Sequence, residues 1–315
     1  MFLPELKIGS KTAKVPIFQG GMAIRLSTAR LAAAVANEGG VGLIAASGMS
    51  NEELRYEIRL ARSLTDGIIG INIMVAARKF SEIVGTAIDE GIDLVVAGAG
   101  FSRDIFGYGK ESGTPIVPIV SSVKLAKIAE RLGATAIVVE GKEAGGHLGT
   151  DTSVRDLIPG IREAVSIPVI AAGGCLHGQD IVDFIKMGAN GVQMGSRFAA
   201  SIEANSAPTV KEYYLKSKPE DIMVIHSPVG LPGRAVRNPF AEHVMTAGNW
   251  PIPRCDNCLK ACKHNFCIIR ALTRAQQGDV DTGLIFTGEY ISRIDEILPV
   301  SEIFRRLKEE AAAAE

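Results

Sequence analysis

From Pro16 to Arg197 the chain alternates short apolar runs with segments of helical periodicity, and it does so eight times. A parallel strand covered by helices on both faces reads as an almost unbroken apolar run. Strands are accordingly expected at 17–20, 41–45, 68–74, 94–97, 116–120, 136–140, 169–172 and 191–194. Between them apolar residues recur at helical spacing at Leu54/Ile58/Ala61, Phe80/Ile83/Val84/Ala87, Leu125/Ile128/Leu132, Leu157/Ile161/Ala164 and Ile181/Phe184/Ile185. Gly91, Gly133 and Gly188 stand where helices want a left-handed cap. Eight such units close a ring, which favours a (β/α)8 TIM barrel over a doubly wound sheet.

Beyond Arg197 the rhythm breaks. A helix is expected over 204–216, then a proline- and glycine-rich loop or lid over 226–253, a cysteine cluster, a helix over 268–277, and a last amphipathic helix carrying Val300, Ile303, Phe304 and Leu307. The chain thus divides into a barrel at 1–200 and a C-terminal capping subdomain at 201–315, which holds the cysteines and has a helix available to complete the barrel. Disorder is expected only at 309–315.

Charge excludes several functions. The 34 basic and 35 acidic residues nearly cancel and no basic run is longer than Arg305-Arg306, so no field recruits nucleic acid or an anionic membrane. No apolar run approaches the roughly 18 residues of a membrane span, and the first ten residues lack a leader pattern. A cytoplasmic protein acting on a small molecule is expected, with a homodimer open.

In a barrel of this kind the chemistry sits on loops at the carboxyl ends of the strands. The first such loop is Gln19-Gly20-Gly21-Met22, where paired glycines let backbone lie flat against a planar ligand; a tight turn would look the same. Strand three carries Asn72, whose amide suits the edge of a heteroaromatic ring or a loop hydrogen bond. Glycines follow strands seven and eight, at Gly173-Gly174 and in Gln193-Met194-Gly195-Ser196-Arg197. Backbone N–H groups converge there on a phosphate, which implies a phosphate-bearing cofactor. The sixth loop holds Glu140 and then His147 in Glu-Ala-Gly-Gly-His, an imidazole placed for acid–base work near neutral pH. His177, His226, His243 and His264 have no comparable setting.

Four of the five cysteines form Cys255-x2-Cys258-x3-Cys262-x4-Cys267, all within 13 residues. Such an array can hold zinc, with His264 able to replace one sulfur, or an iron–sulfur cluster; local disulfides and free thiols are the alternatives.

Taken together, these elements resemble the nitronate monooxygenase family, formerly called 2-nitropropane dioxygenases, and its close relatives, the flavin-dependent enoyl-acyl-carrier-protein reductases. Gln19–Met22, Asn72-Ile73-Met74, Glu143–His147, Ala171–Gly174 and Gln193–Phe198 occur in family order. The resemblance implies bound FMN: Gly21 and Met22 on the ring, Asn72 at its polar edge, and Glu140 and Gly145 lining the pocket. It places the phosphate at Gly173, Gly174, Gly195 and Ser196, with Gln193 and Met194 supporting that wall, and makes His147 the catalytic histidine. Two positions depart from the monooxygenase pattern: Glu140 stands where many monooxygenases have Gln, as in the reductase branch, and Ser196 replaces the commoner Thr. The stretch from Ser227 to Phe240 also looks like family members, and the cysteine spacing is distantly similar to that of dienoyl-CoA reductases. Three functions follow as expectations: an FMN-dependent nitronate monooxygenase, an NAD(P)H-dependent enoyl thioester reductase, or a flavin and iron–sulfur protein for electron transfer or sensing.

Overall fold

In the computed structural model, which describes residues 3–314, eight parallel strands close into one barrel. They are β1 (Ile17–Gln19), β2 (Val41–Ala45), β3 (Ile68–Met74), β4 (Leu94–Gly98), β5 (Ile116–Val120), β6 (Ile137–Glu140), β7 (Val169–Ala172) and β8 (Gly191–Met194). Register is passed round the ring: Gln19 lies opposite Met194, Gln193 opposite Ala172, Ala172 opposite Glu140, and Asn72 opposite Ala45. Gln19, Asn72, Glu140 and Gln193 therefore share the carboxyl rim.

Phe18, Leu43, Leu94, Val96, Val117, Val138 and Ile170 form the inner core. Leu6, Ile8 and Ala13 of the N-terminal hairpin join it. Helices and outer strand faces make a second, larger core. The helix Val123–Leu132 ends at left-handed Gly133, φ 101°, but its apolar stripe is not the expected one. Ala126 and Ala129 are buried against the barrel, whereas Leu132 is exposed. Small residues let the helix sit close to the sheet, and the larger side chains turn to its flanks.

Close approach is tightest at Gly42 of β2, where a Cβ would lie 2.0 Å from the Ala32 carbonyl oxygen of helix Ala29–Asn37. Gly42→Ala must push that helix off the sheet. A loss of roughly 1–3 kcal/mol is expected, read as a lower urea midpoint at unchanged slope.

After β8 comes only a one-turn helix, Ser196–Ala199, and the outer position beside it is filled by Val300–Ala313. Phe304 packs on Phe198 at 5.9 Å between ring centroids, and the Glu310 carboxylate accepts the Gly178 N–H at 2.7 Å. These contacts order most of the segment expected to be disordered: the helix runs to Ala313, and Ala311 is buried. Glu315 lies outside the described residues.

The expected loop at 226–253 is also structured. It begins at the end of an antiparallel hairpin, Ile222–His226 with Pro232–Val236, and continues into helix Pro239–Ala247. Pro232 opens a strand and Pro239 sits in a helix's first turn, positions where a missing N–H costs little. Asn238 caps that helix, accepting the Ala241 N–H at 2.8 Å and donating to the carbonyls of Val280 and Gly283. The preceding helix is shorter than expected, Pro208–Lys216, because its proline marks the first turn. Ile225, Ala235, Phe240, Phe266, Leu272 and Leu284 give this lid a core of its own. No helix among the described residues is long and apolar enough to cross a membrane.

Candidate active site

Rim and lid enclose a cleft that nine glycines help to line. Gly21 lies so close to Asn72 that a Cβ would come 2.1 Å from the asparagine Cβ. A Cβ on Gly145 would come 2.6 Å from the Thr287 carbonyl carbon, so residue 145 must also lack a side chain. Gly173 and Gly174 hold φ of 112° and 72°, the left-handed region that glycine adopts without strain. A Cβ on Gly195 would meet nothing within 4 Å. Ser196 opens the one-turn helix, whose leading N–H groups have no acceptor within it, and its hydroxyl accepts the Gly288 N–H at 2.9 Å.

Met22, Asn72, Glu140, Gln193 and His147 line the same cleft as these glycines. Met194 does not: its side chain is buried in the outer core, and its carbonyl accepts the Gly20 N–H at 2.9 Å. Buried Gln193 Oε1 has no hydrogen-bond partner among the described residues. A slot between backbone planes, an amide acceptor awaiting an N–H, and a glycine cradle before a helix start fit a flavin with its phosphate. His177 lies elsewhere, capping helix Gly178–Lys186 with Nδ1 3.7 Å from Glu310.

His147 reaches the cleft through an unexpected element. Gly146–His147 forms a short strand added to the lid hairpin, with Gly233 opposite His147. Arg234 fastens the loop, donating to the carbonyls of Lys142 at 2.6 Å and Ala144 at 3.2 Å. Glu143 holds it from below by accepting the Val154 N–H at 3.0 Å. The imidazole Nε2 is 2.8 Å from the Ser227 hydroxyl, and Phe286 meets the ring edge-on at 5.2 Å between centroids. Burial holds its pKa down to about 4, so the ring is neutral at ordinary pH.

Ser227, which opens the stretch 227–240, carries no sequence signal of this pairing. It is buried, and its oxygen also accepts the Val229 N–H at 3.3 Å, which fixes the hydroxyl toward the imidazole. Ser227 is a positioning residue. Ser227→Ala is expected to keep flavin but lower kcat roughly tenfold, about 1.4 kcal/mol, with Ser227→Thr recovering most of it.

Burial pushes the Glu140 carboxyl up to about 8, so at pH 7 it is mostly a neutral acid. Between the ordinary value of 4.5 and about 8 the folded chain keeps a proton that the unfolded chain has released. Stability from this group therefore falls as pH rises through that window. Glu140→Gln, always neutral, should remove that fall in the flavin-free chain, measured as Tm against pH. His147 acts oppositely, since its depressed pKa makes stability fall as pH drops from 6.5 toward 4.

The cysteine segment stays outside the cleft. All four thiols are free, and among the described residues no three His, Cys, Asp or Glu side chains gather tightly enough to hold a metal ion. The assembled metal site expected from the spacing is thus not formed in this arrangement. Burial, and then the charges of Cys267, Cys262 and Cys255, push the Cys258 thiol up to about 11.

A closed barrel whose rim glycines fit a flavin, with a half-buried imidazole beside them, defines an oxidoreductase of the flavin-binding kind. A model of the family described as nitronate monooxygenase matches residues 5–310, and the chain belongs to that family. It is similar to (3aS,4S,5R,7aS)-5-hydroxy-7a-methyl-1-oxo-octahydro-1H-indene-4-carboxyl-CoA dehydrogenase of Rhodococcus jostii, 32% identical over 74% of this chain. That match spans just under two thirds, 66%, of the relative's own length. A probable nitronate monooxygenase of Staphylococcus aureus is 30% identical over 73% of this chain and 77% of its own. Among solved structures, FabK from Thermotoga maritima superposes with a TM-score of 0.86 at 34% identity, covering 95% of this chain and 93% of that one.

Proposed function

We propose that the chain binds FMN and oxidises nitronates with dioxygen to carbonyl compounds and nitrite. The observation that carries this reading is the half-buried imidazole of His147, paired with the Ser227 hydroxyl, at a cleft that nine glycines help to line. FMN, when bound, supplies the electron acceptance and the reaction with dioxygen; placement falls to the chain. Gly173, Gly174, Gly195 and Ser196 would hold the phosphate, Asn72 and Gln193 the polar edge of the ring. With Nε2 occupied by Ser227, the other ring nitrogen of His147 is left for a substrate oxygen. A pKa near 4 makes the ring a poor base, so His147 orients a nitronate that is already ionised better than it deprotonates a neutral nitroalkane. Phe286, Ile268 and Leu284 of the lid keep water from the same space.

A second reading has its own observation. The cleft lining carries Glu140, Glu143 and Glu289 but no lysine or arginine, which suits a neutral enoyl thioester better than an anion. The likeness to FabK and to a CoA thioester dehydrogenase points the same way. Anaerobic stopped-flow separates the two. Bleaching of the flavin by a nitronate, with oxygen uptake in air and no nicotinamide, is the expected result. Bleaching by NADPH alone, followed by reoxidation with an enoyl thioester, would overturn it in favour of the second.

A further inference from the structure

We infer that Gln19 and Ser27 are positioning residues for the flavin, a buried amide–hydroxyl clamp that sets the backbone of Gly20–Met22 against the ring; the inference rests on the flavin reading of the cleft. It starts from a gap in the barrel wall. β2 is paired with β3 along its whole length, from Val41 with Ile68 to Ala45 with Asn72, but β1 meets β2 at one register pair, Phe18 with Val41. Toward the rim from that pair, two N–H groups of β2 lack a strand to accept them, and each is met by another group. The Leu43 N–H donates to Gln19 Oε1 at 3.1 Å, and the Ala45 N–H donates to the Ser27 carbonyl at 2.9 Å. A side chain and a turn thus stand in for ladder bonds, and the chain after β1 is free to leave the wall. It crosses to β3, where Gly21 comes against Asn72.

Gln19 and Ser27 are fully buried, and every polar atom of both side chains is used. The Gln19 amide donates one hydrogen to the Ser27 hydroxyl at 2.8 Å and the other to the Gly20 carbonyl. The hydroxyl also accepts the Met22 N–H at 3.0 Å and donates to the Gly20 carbonyl at 3.4 Å. The Gly20 N–H binds the Met194 carbonyl at 2.9 Å and the Ser27 N–H binds that of Met22 at 3.1 Å, so the N–H and carbonyl of both residues flanking Gly21 are taken. The N–H and carbonyl of Gly21 itself have no partner among the described residues. One donor and one acceptor are thereby left to a ligand, at a cleft residue that has no room for a side chain. The pair does not serve the helix that follows: Thr28 is the N-cap of Ala29–Asn37, and the Glu57 carboxylate accepts the Ala29 N–H at 2.7 Å. A fully bonded buried network holds one geometry, because any shift leaves a polar group unpaired.

The test is titration of FMN into the flavin-free full chain, followed by quenching of the flavin fluorescence. Ser27→Ala is expected to raise the Kd about tenfold, roughly 1.4 kcal/mol, and to displace the visible bands of the flavin it does bind. Gln19→Met should do the same, and the double variant should be little worse than either, because both changes release one clamp. Ile58→Ala, buried in the outer core on helix Asn51–Leu64, should lower the Tm yet keep the parent's Kd, which separates loop shape from overall stability. Should Gln19→Met not fold, Ser27→Ala decides, since it keeps the bond between Gln19 and Leu43. Parent-like Kd and bands in Ser27→Ala, or equal weakening in Ile58→Ala, would overturn the inference alone. A parent chain that takes up no FMN would overturn the flavin reading of the cleft, and the inference with it.

Discussion

His147→Ala is expected to lower kcat on nitronates by about 10²–10³ while FMN stays bound. The imidazole can be removed without dismantling the site, because the loop is held by other groups. Gly146 and His147 pair with the lid through backbone, Arg234 ties the carbonyls of residues 142 and 144, and Glu143 anchors to residue 154. What is lost in stability is the edge contact with Phe286, about 0.5–1.5 kcal/mol, and the hydrogen bond with buried Ser227, about 0.5–1.5 kcal/mol. The pattern across variants separates two roles. If His147 works as a hydrogen-bond donor, a role open to a neutral, weakly basic ring, His147→Asn should recover part of the rate. If it were a base, asparagine would be as inactive as alanine. Steady-state oxygen uptake on matched nitronate and nitroalkane pairs reads the difference.

Gly21→Ala is expected to weaken flavin binding severely. A methyl at that position would overlap Asn72 at 2.1 Å, and Asn72 sits on β3 with no room to retreat, since Met74 and Ser47 pin the strand end through a 2.9 Å hydrogen bond. The methyl must therefore move into the slot itself. A Kd for added FMN raised about a hundredfold, roughly 2.8 kcal/mol, is expected. The overlap with the Asn72 Cβ should also lower the Tm of the flavin-free variant, by no more than Gly42→Ala does, because residue 21 is only partly buried at the rim. A drop well beyond that of Gly42→Ala would mean that Gly21 serves the fold and not the ligand.

The barrel was legible because its signal is local. β2, buried at every residue, and β3, largely buried, read as unbroken apolar runs, and glycine caps mark the helix ends. Rim residues inherited that legibility, since a residue at the end of a correctly placed strand must face the cleft mouth or the core. Met194 shows the limit: the period of two sends it to the outer core while neighbouring Gln193 faces the cleft. Contacts across long separations left no comparable mark. Ser227 meets His147 over 80 residues of sequence, and a serine before a proline gives no hint of that partner. Prolines hid the lid, because at strand starts and first helical turns they are as compatible with structure as with loops. The alanine face of helix Val123–Leu132 is hidden for a related reason: close packing rewards small residues, while apolar periodicity counts large ones.

The visible spectrum of the purified full chain, with the released flavin identified by mass, tests the assignment of the cleft most directly. FMN stoichiometric with the parent chain and missing from Gly21→Ala is the predicted result. A parent chain that carries no flavin and takes up none when FMN is added would contradict it.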